Sequence, residues 1–239
     1  MILDVSQLDY KSVNEQLRGI SDPVEMTGCC GQRFIAAGFS DLQLCIKGTP
    51  GNALGAYLNG AEITVCGNAQ DAVGDTMNNG KIVVHGNIGD TVGYAMRGGE
   101  IYVQGDAGYR VGIHMKEYQD KRPVIVIGGK CGSFLGEYQA GGTIIVLGLT
   151  DNDRKIISNY PCTGMHGGRV YLRSDMKDIT LPAAVTASPA SEQDLDEIRD
   201  YLGAFCDYFG YDLAAILHAP FTKIEPDSAN PYKQMYVAN

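Results

Sequence analysis

From residue 44 to residue 172, apolar residues recur in short alternating runs, separated by polar and glycine-rich stretches of nearly constant length. Ile63 and Val65, Ile82 and Val84, Ile101 and Val103, and Ile144 and Val146 each bracket a single residue. Period-two alternation over so few residues predicts β-strands and excludes helices. A second apolar column, Leu54, Val73, Val92, Val111 and Leu135, stands one residue before a glycine each time.

The glycines keep the count. Gly48, Gly67, Gly86 and Gly105 are 19 residues apart, as are Gly129 and Gly148. Gly55, Gly74, Gly93, Gly112 and Gly136 follow in phase, seven residues later. A fixed period of this size means one structural unit stacked on copies of itself. Helical repeats are excluded, because each interior glycine would cost roughly 1 kcal/mol against alanine. At corners glycine supplies positive φ and lets neighbouring backbones approach closely. The chain is therefore expected to be mainly β, a right-handed parallel β-helix of about seven coils. At a strand spacing of about 4.8 Å the stack would be roughly 30 Å tall.

A looser first coil carries Ile35, Leu44 and Ile46. The fourth coil carries an insertion around Lys116 to Pro123 before the run Val124–Ile127. A polar loop, Thr150 to Pro161, interrupts the last coil, which resumes as Met165-His166-Gly167-Gly168-Arg169-Val170-Tyr171-Leu172. This organisation divides the chain into a helical cap segment (1–27), the β-helix (28–175) and a C-terminal helix with an extended tail (176–239).

In the first segment, Val13 and Leu17 lie four apart and Gly19 follows, which predicts a short amphipathic helix from Tyr10 to Arg18. In the last, Ser188-Pro189 is expected as N-cap and first helical residue. Leu195, Ile198, Leu202, Phe205 and Phe209 then mark one helix face, ending near Gly210. That stripe is expected to cover the open end or the side of the β-helix. The proline-bearing stretch from Pro220 to Tyr232 is expected to be an extended tail on a surface.

Composition narrows the function classes. The 239 residues include 31 glycines and no tryptophan, with a net charge of −9. An acidic chain lacks the basic patch that phosphate contacts require, so nucleic acid is not an expected partner. No apolar stretch approaches the roughly 20 residues that span a bilayer, so no membrane role is expected. The N-terminal residues show no secretory signal pattern, and seven cysteines without paired spacing suit reduced thiols; both point to the cytoplasm.

Candidate chemistry disperses on inspection. The glycines match neither the P-loop nor the dinucleotide fingerprint, since Gly80-Lys81 is followed by Ile82 and no helix follows any coil glycine. His85, His114 and His166 occupy different columns and His218 lies in the tail, which argues against a stacked metal site. Asp71 and Asp90 share one column with Asn52 and would lie about 5 Å apart. They could hold a proton or a cation, but a turn role bonding their own backbone is the favoured reading. Cys29 and Cys30 are vicinal, while Cys45, Cys66, Cys131, Cys162 and Cys206 are scattered, and no iron–sulfur spacing occurs. No catalytic, cofactor or metal residue is assigned; the residues singled out are the repeat glycines, together with Gly167 and Gly168.

The segments Gly67-Asn-Ala-Gln-Asp-Ala-Val-Gly74, Gly86-Asn-Ile-Gly-Asp-Thr-Val-Gly93 and Gly98-Gly99-Glu-Ile-Tyr-Val103, with Gly164-Met-His-Gly-Gly-Arg-Val-Tyr-Leu-Arg173, carry a resemblance. They resemble the β-helical C-terminal (GXGXG-repeat) domain of the glutamate synthase large subunit in a stand-alone form. The β-helical subunit of formylmethanofuran dehydrogenase is similar as well. The resemblance implies a non-catalytic scaffold in a glutamine-dependent complex that makes glutamate from 2-oxoglutarate. It places flavin mononucleotide (FMN) and an iron–sulfur cluster on the synthase subunit, glutamine hydrolysis on a glutaminase subunit, and no cofactor on this chain. Homo-oligomer formation is left open. Two other readings remain: the same scaffold role in a formylmethanofuran dehydrogenase, and an independent carbohydrate-active β-helix enzyme, against which the lack of tryptophan counts.

Overall fold

The computed structural model describes residues 1–175 and 180–228. Nine parallel strands stack in chain order: β1 (Ile2–Asp4), β2 (Val24–Cys30), β3 (Gln43–Thr49), β4 (Asn59–Val65), β5 (Asn79–Val84), β6 (Glu100–Val103), β7 (Val124–Ile127), β8 (Ala140–Val146) and β9 (Gly167–Leu172). Each strand belongs to one coil, so the stack makes about eight turns of a parallel β-solenoid. The strand ladder begins before residue 28, since β1 and β2 pair in register from Ile2 with Glu25.

Register shows why the apolar alternation exists. Leu44, Ile63, Ile82, Ile101, Ile125, Ile144 and Val170 lie side by side along one ladder. Ile46, Val65, Val84, Val103, Ile127, Val146 and Leu172 form the next inward column. Both columns are buried, in one core with Leu54, Val73, Val92 and Val111 of the corners. Burying each such side chain contributes about 1.5–3 kcal/mol.

The residue between the two inward columns faces outward, and its chemistry changes along the stack. It is Cys45 and Thr64 in β3 and β4, then Val83, Tyr102, Val126, Ile145 and Tyr171 in β5 to β9. The first two are half-buried; the other five are buried under helix α2 (Glu192–Phe209). Ile198, Leu202 and Phe205 supply the helix contacts, joined by Ile216 of the short helix α3 (Leu213–Leu217) and by Phe221. The apolar stripe thus covers the side of the solenoid.

The opposite task falls to α1 (Tyr10–Leu17), whose buried Val13 and Leu17 join the solenoid core. Asp9 caps it by accepting from the Ser12 amide at 2.8 Å. Asn14 ties it to the first corner: its Oδ1 accepts from the Ala36 amide at 2.9 Å and its Nδ2 donates to the Phe34 carbonyl at 3.0 Å.

Two expectations at the C-terminal side are corrected. Ser188 and Pro189 do not start α2; they end β10 (Val185–Pro189), an edge strand that tolerates proline because no partner needs its missing N–H. The N-cap is Ser191, which forms a capping box with Asp194, and the helix ends on Gly210 in the left-handed conformation. The stretch after Pro220 is not a loose extension at first: Thr222–Pro226 forms β11, antiparallel between β9 and β10. A reversed strand closes the open edge of β9. The part of the expected tail beyond residue 228 lies outside the described residues.

Candidate functional site

Each of seven successive coils turns one corner through three residues with positive φ, spaced two apart. The middle column is Ala36, Gly55, Gly74, Gly93, Gly112, Gly136 and Cys162. It points inward, and the isoleucine of the following coil explains the glycines. A Cβ on Gly55, Gly74, Gly93 or Gly112 would come within 2.4–2.7 Å of the Cδ1 of Ile82, Ile101, Ile125 or Ile144. Cys162 occurs in the coil of β9, after which no further parallel strand follows among the described residues.

The earlier glycine column answers a different need. Gly86, Gly105 and Gly129 lie against side-chain oxygens of Asn68, Asn87 and Asp106, at 2.2–2.4 Å from a built Cβ. Those oxygens accept from the amides of Asn87, Asp106 and Lys130 in the next coil, each at 2.8 Å. Asp71 and Asp90 do the same, accepting from the amides of Asp90 and Tyr109 at 2.9 and 2.7 Å. Their role is a turn role, but the bond goes to the next coil rather than to their own backbone. Among the described residues no group of three or more His, Cys, Asp or Glu side chains could hold a metal ion.

The outer two corner columns carry several exposed or half-buried side chains and are rich in aromatics. Phe34, Tyr57, Phe134, Tyr138 and Tyr160 all hold φ between 53° and 63°. A left-handed conformation costs an L-residue about 1–2 kcal/mol, so bulky rings here are an expensive choice. The rings also stack: His114 on Tyr138 at 5.1 Å, Phe134 on Tyr160 at 5.3 Å, with the Arg110 guanidinium 4.7 Å over Phe134. Stacking offsets part of that cost. Even so, Tyr160 remains 65% and Tyr57 58% exposed, and Tyr94, edge-on to His114 at 6.0 Å, and Tyr109 are exposed as well.

Three departures from the repeat, the insertion, α2 and β11, meet at one cleft of about 790 Å³. The insertion contributes Glu117 and Arg122, α2 contributes Glu197, Ile198 and Tyr201, and β11 contributes Glu225 and Pro226. Val124, Gly142, Thr143, His166, Gly167, Gly168, Arg169 and Tyr171 complete the wall. Its charges are largely tied to one another. Arg169 Nε donates to Glu225 Oε1 at 2.8 Å, and its terminal nitrogen pairs with Glu197. Lys223 Nζ bridges Asp194 at 2.8 Å and Glu225 at 2.9 Å. Burial would raise the Asp194 carboxyl, but the Lys223 and Ser191 hydrogen bonds prevail and hold it down to about 2. Glu225 is likewise held below the usual range, the Lys223 and Arg169 bonds outweighing burial. This network clamps α2, β9 and β11 together.

Two polar atoms near the cleft remain without a partner among the described residues. Gln139 is fully buried in the inward column that holds Leu58, Met77, Met96, Met115 and Met165 in other coils. Its amide nitrogen donates to the carbonyls of Gly141 and Gly142 at 3.2 and 3.0 Å, while Oε1 is unpaired. The second atom is the Tyr171 hydroxyl, buried beneath α2, where burial pushes the phenol up to about 12.

Of the histidines, only His166 lies in the cleft, its Nδ1 3.0 Å from the Gly164 carbonyl. His85 packs edge-on against Phe209 at 5.1 Å, and His218 caps α3. Cys29, Cys131, Cys162 and Cys206 are buried, but Cys45 and Cys66 are not scattered: their sulfurs lie 3.5 Å apart. The signal for this pair is a spacing of 21, one repeat plus two residues.

Repeat, corner glycines and coil-to-coil polar ladder together define a class of β-solenoid proteins. Residues 11–229 match the GXGXG motif family, and the chain belongs to it. It is 42% identical over 250 residues to the uncharacterized protein MJ1350 of Methanocaldococcus jannaschii, covering 99% of this chain and 96% of that one. Its fold is similar to a chain in the crystal structure of the formyltransferase/hydrolase complex (FhcABCD) from Methylorubrum extorquens in complex with methylofuran. That similarity has a TM-score of 0.63 at 21% identity, over 90% of this chain and 84% of the other. No helix among the described residues is long and apolar enough to cross a membrane.

Proposed function

We propose that this protein is a scaffold subunit of a multi-subunit, glutamate synthase-like complex that transfers glutamine-derived ammonia to 2-oxoglutarate. The observation that carries the scaffold role is the exposed aromatic corner. Tyrosine is enriched where proteins meet, and large exposed apolar patches mark such surfaces. Rings held at positive φ on five positions, where glycine or asparagine would be less strained, have their best use in contact with another chain. The partners are a synthase subunit carrying flavin mononucleotide and an iron–sulfur cluster, and a glutaminase subunit. The residue-level resemblance over the coils supports this choice of complex.

A second reading has its own support. The fold neighbour comes from a formyltransferase/hydrolase complex, which favours the equivalent scaffold in a formylmethanofuran dehydrogenase-type assembly. Affinity purification of the tagged chain from its native cells, with cofactor analysis of what is retained, separates the two. A flavin and iron–sulfur partner supports the first reading and a pterin partner the second. Recovery of the chain alone under gentle conditions would refute both.

A further inference from the structure

The first coils bring together two thiols that the sequence separates by 21 residues. Cys45 stands in the outward column of β3, in register with Thr64 of β4. Cys66 follows two residues beyond Thr64, its amide bonded to the Ile46 carbonyl at 2.9 Å. The pair are diagonal neighbours on one face, with sulfurs 3.5 Å apart, one half-buried and one exposed. Lys47 stands beside them, its ammonium 2.8 Å from Glu25 of β2.

Register limits what the pair can do. A strand spacing of about 4.8 Å and a rise of about 3.3 Å per residue put diagonal Cα atoms about 8 Å apart. A disulfide needs them within about 7 Å, and the ladders on both sides hold these strands in place. A bridging ion asks the reverse, that the two side chains rotate slightly apart. Thiolates are soft ligands suited to Cu(I), whereas zinc takes four ligands, and no third Cys, His, Asp or Glu completes such a set among the described residues. Cys29 and Cys30 cannot offer the same site, because one is buried and the other exposed on alternating faces of β2.

We propose that Cys45 and Cys66 form a two-coordinate site for a thiophilic monovalent cation of the Cu(I) class, bridging β3 and β4. On binding, two S–H bonds break, two sulfur–metal bonds form, and two protons pass to solvent; no atom changes oxidation state. The resulting bis-thiolate carries one net negative charge, which the Lys47 ammonium, shared with Glu25, partly offsets. The other charged group facing it is Glu25, and His85 is the next side chain along the column of Cys66.

The test titrates the full chain anaerobically with Cu(I) against a chromophoric Cu(I) chelator. The wild type and Cys30→Ser should each retain one tight equivalent, which Cys45→Ser and Cys66→Ser should lose while keeping the wild-type circular dichroism. Lys47→Gln should weaken retention by about tenfold, the lower end of effects from groups outside the ligand set. Equal retention in Cys45→Ser would overturn the site. So would ready formation of a Cys45–Cys66 disulfide by diamide in the native chain, detected by peptide mass spectrometry.

Discussion

Gly74 lies directly against Ile101 of the following coil: a Cβ placed on it would come 2.5 Å from the isoleucine Cδ1. Its φ of 69° adds a second demand that only glycine meets without strain. Gly74→Ala therefore combines overpacking with a left-handed alanine, and should destabilise by about 2–4 kcal/mol. The denaturation midpoint measures it. Ile101→Val in the same chain should restore part of the loss; no restoration would show that the contact is not the cause.

Phe205 stands at the centre of the helix-to-sheet contact, packing over Gly128 among Tyr102, Val126 and Ile145. Phe205→Ala should cost about 3–5 kcal/mol and raise binding of a hydrophobic dye. A mutant as stable as wild type would mean that α2 does not seal this face.

The exposed corner makes the opposite prediction. Asparagine accepts the left-handed conformation better than tyrosine, so Tyr57→Asn and Tyr160→Asn should leave stability unchanged or raise it by up to about 1 kcal/mol. The same substitutions should abolish co-purification of partner subunits. If partners still bind normally, the aromatic corner is not the assembly surface.

Asp194 links pH to stability. Folding lowers its pKa to about 2, so the stabilisation is complete above about pH 4 and disappears as the pH falls through about 2. Asp194→Asn should cost about 1 kcal/mol at pH 7, the order expected for losing a charged partner of the Ser191 capping box and of Lys223. The difference from wild type should vanish near pH 2. Paired unfolding curves between pH 2 and pH 7 test this, and a pH-independent difference would contradict it.

Much of the solenoid is legible in the sequence because its rules act between a residue and the one 19 positions away. Gly55 and Ile82, like Gly74 and Ile101, lie 27 residues apart, and Asn68 and Asn87 lie 19 apart, so their demands recur as columns in the text of the chain. The start of α2 is ambiguous for a local reason: Ser188-Pro189 and Ser191 both carry start signals, and only pairing with β11 shows that the first belongs to a strand. The change of the outward column from Cys45 and Thr64 to Val83 and Tyr102 is visible in the chain, but its meaning requires knowing that a helix lies over it.

The sequence by itself determined the coil, because corner conformation and coil-to-coil packing are short-range constraints that repeat every 19 residues. Only the tertiary structure decided which wall α2 covers, where β11 inserts, what lines the cleft and that Cys45 meets Cys66. Those contacts join residues whose spacing is not set by the repeat alone. They are selected by which apolar surface and which unpaired strand edge the folded stack leaves open.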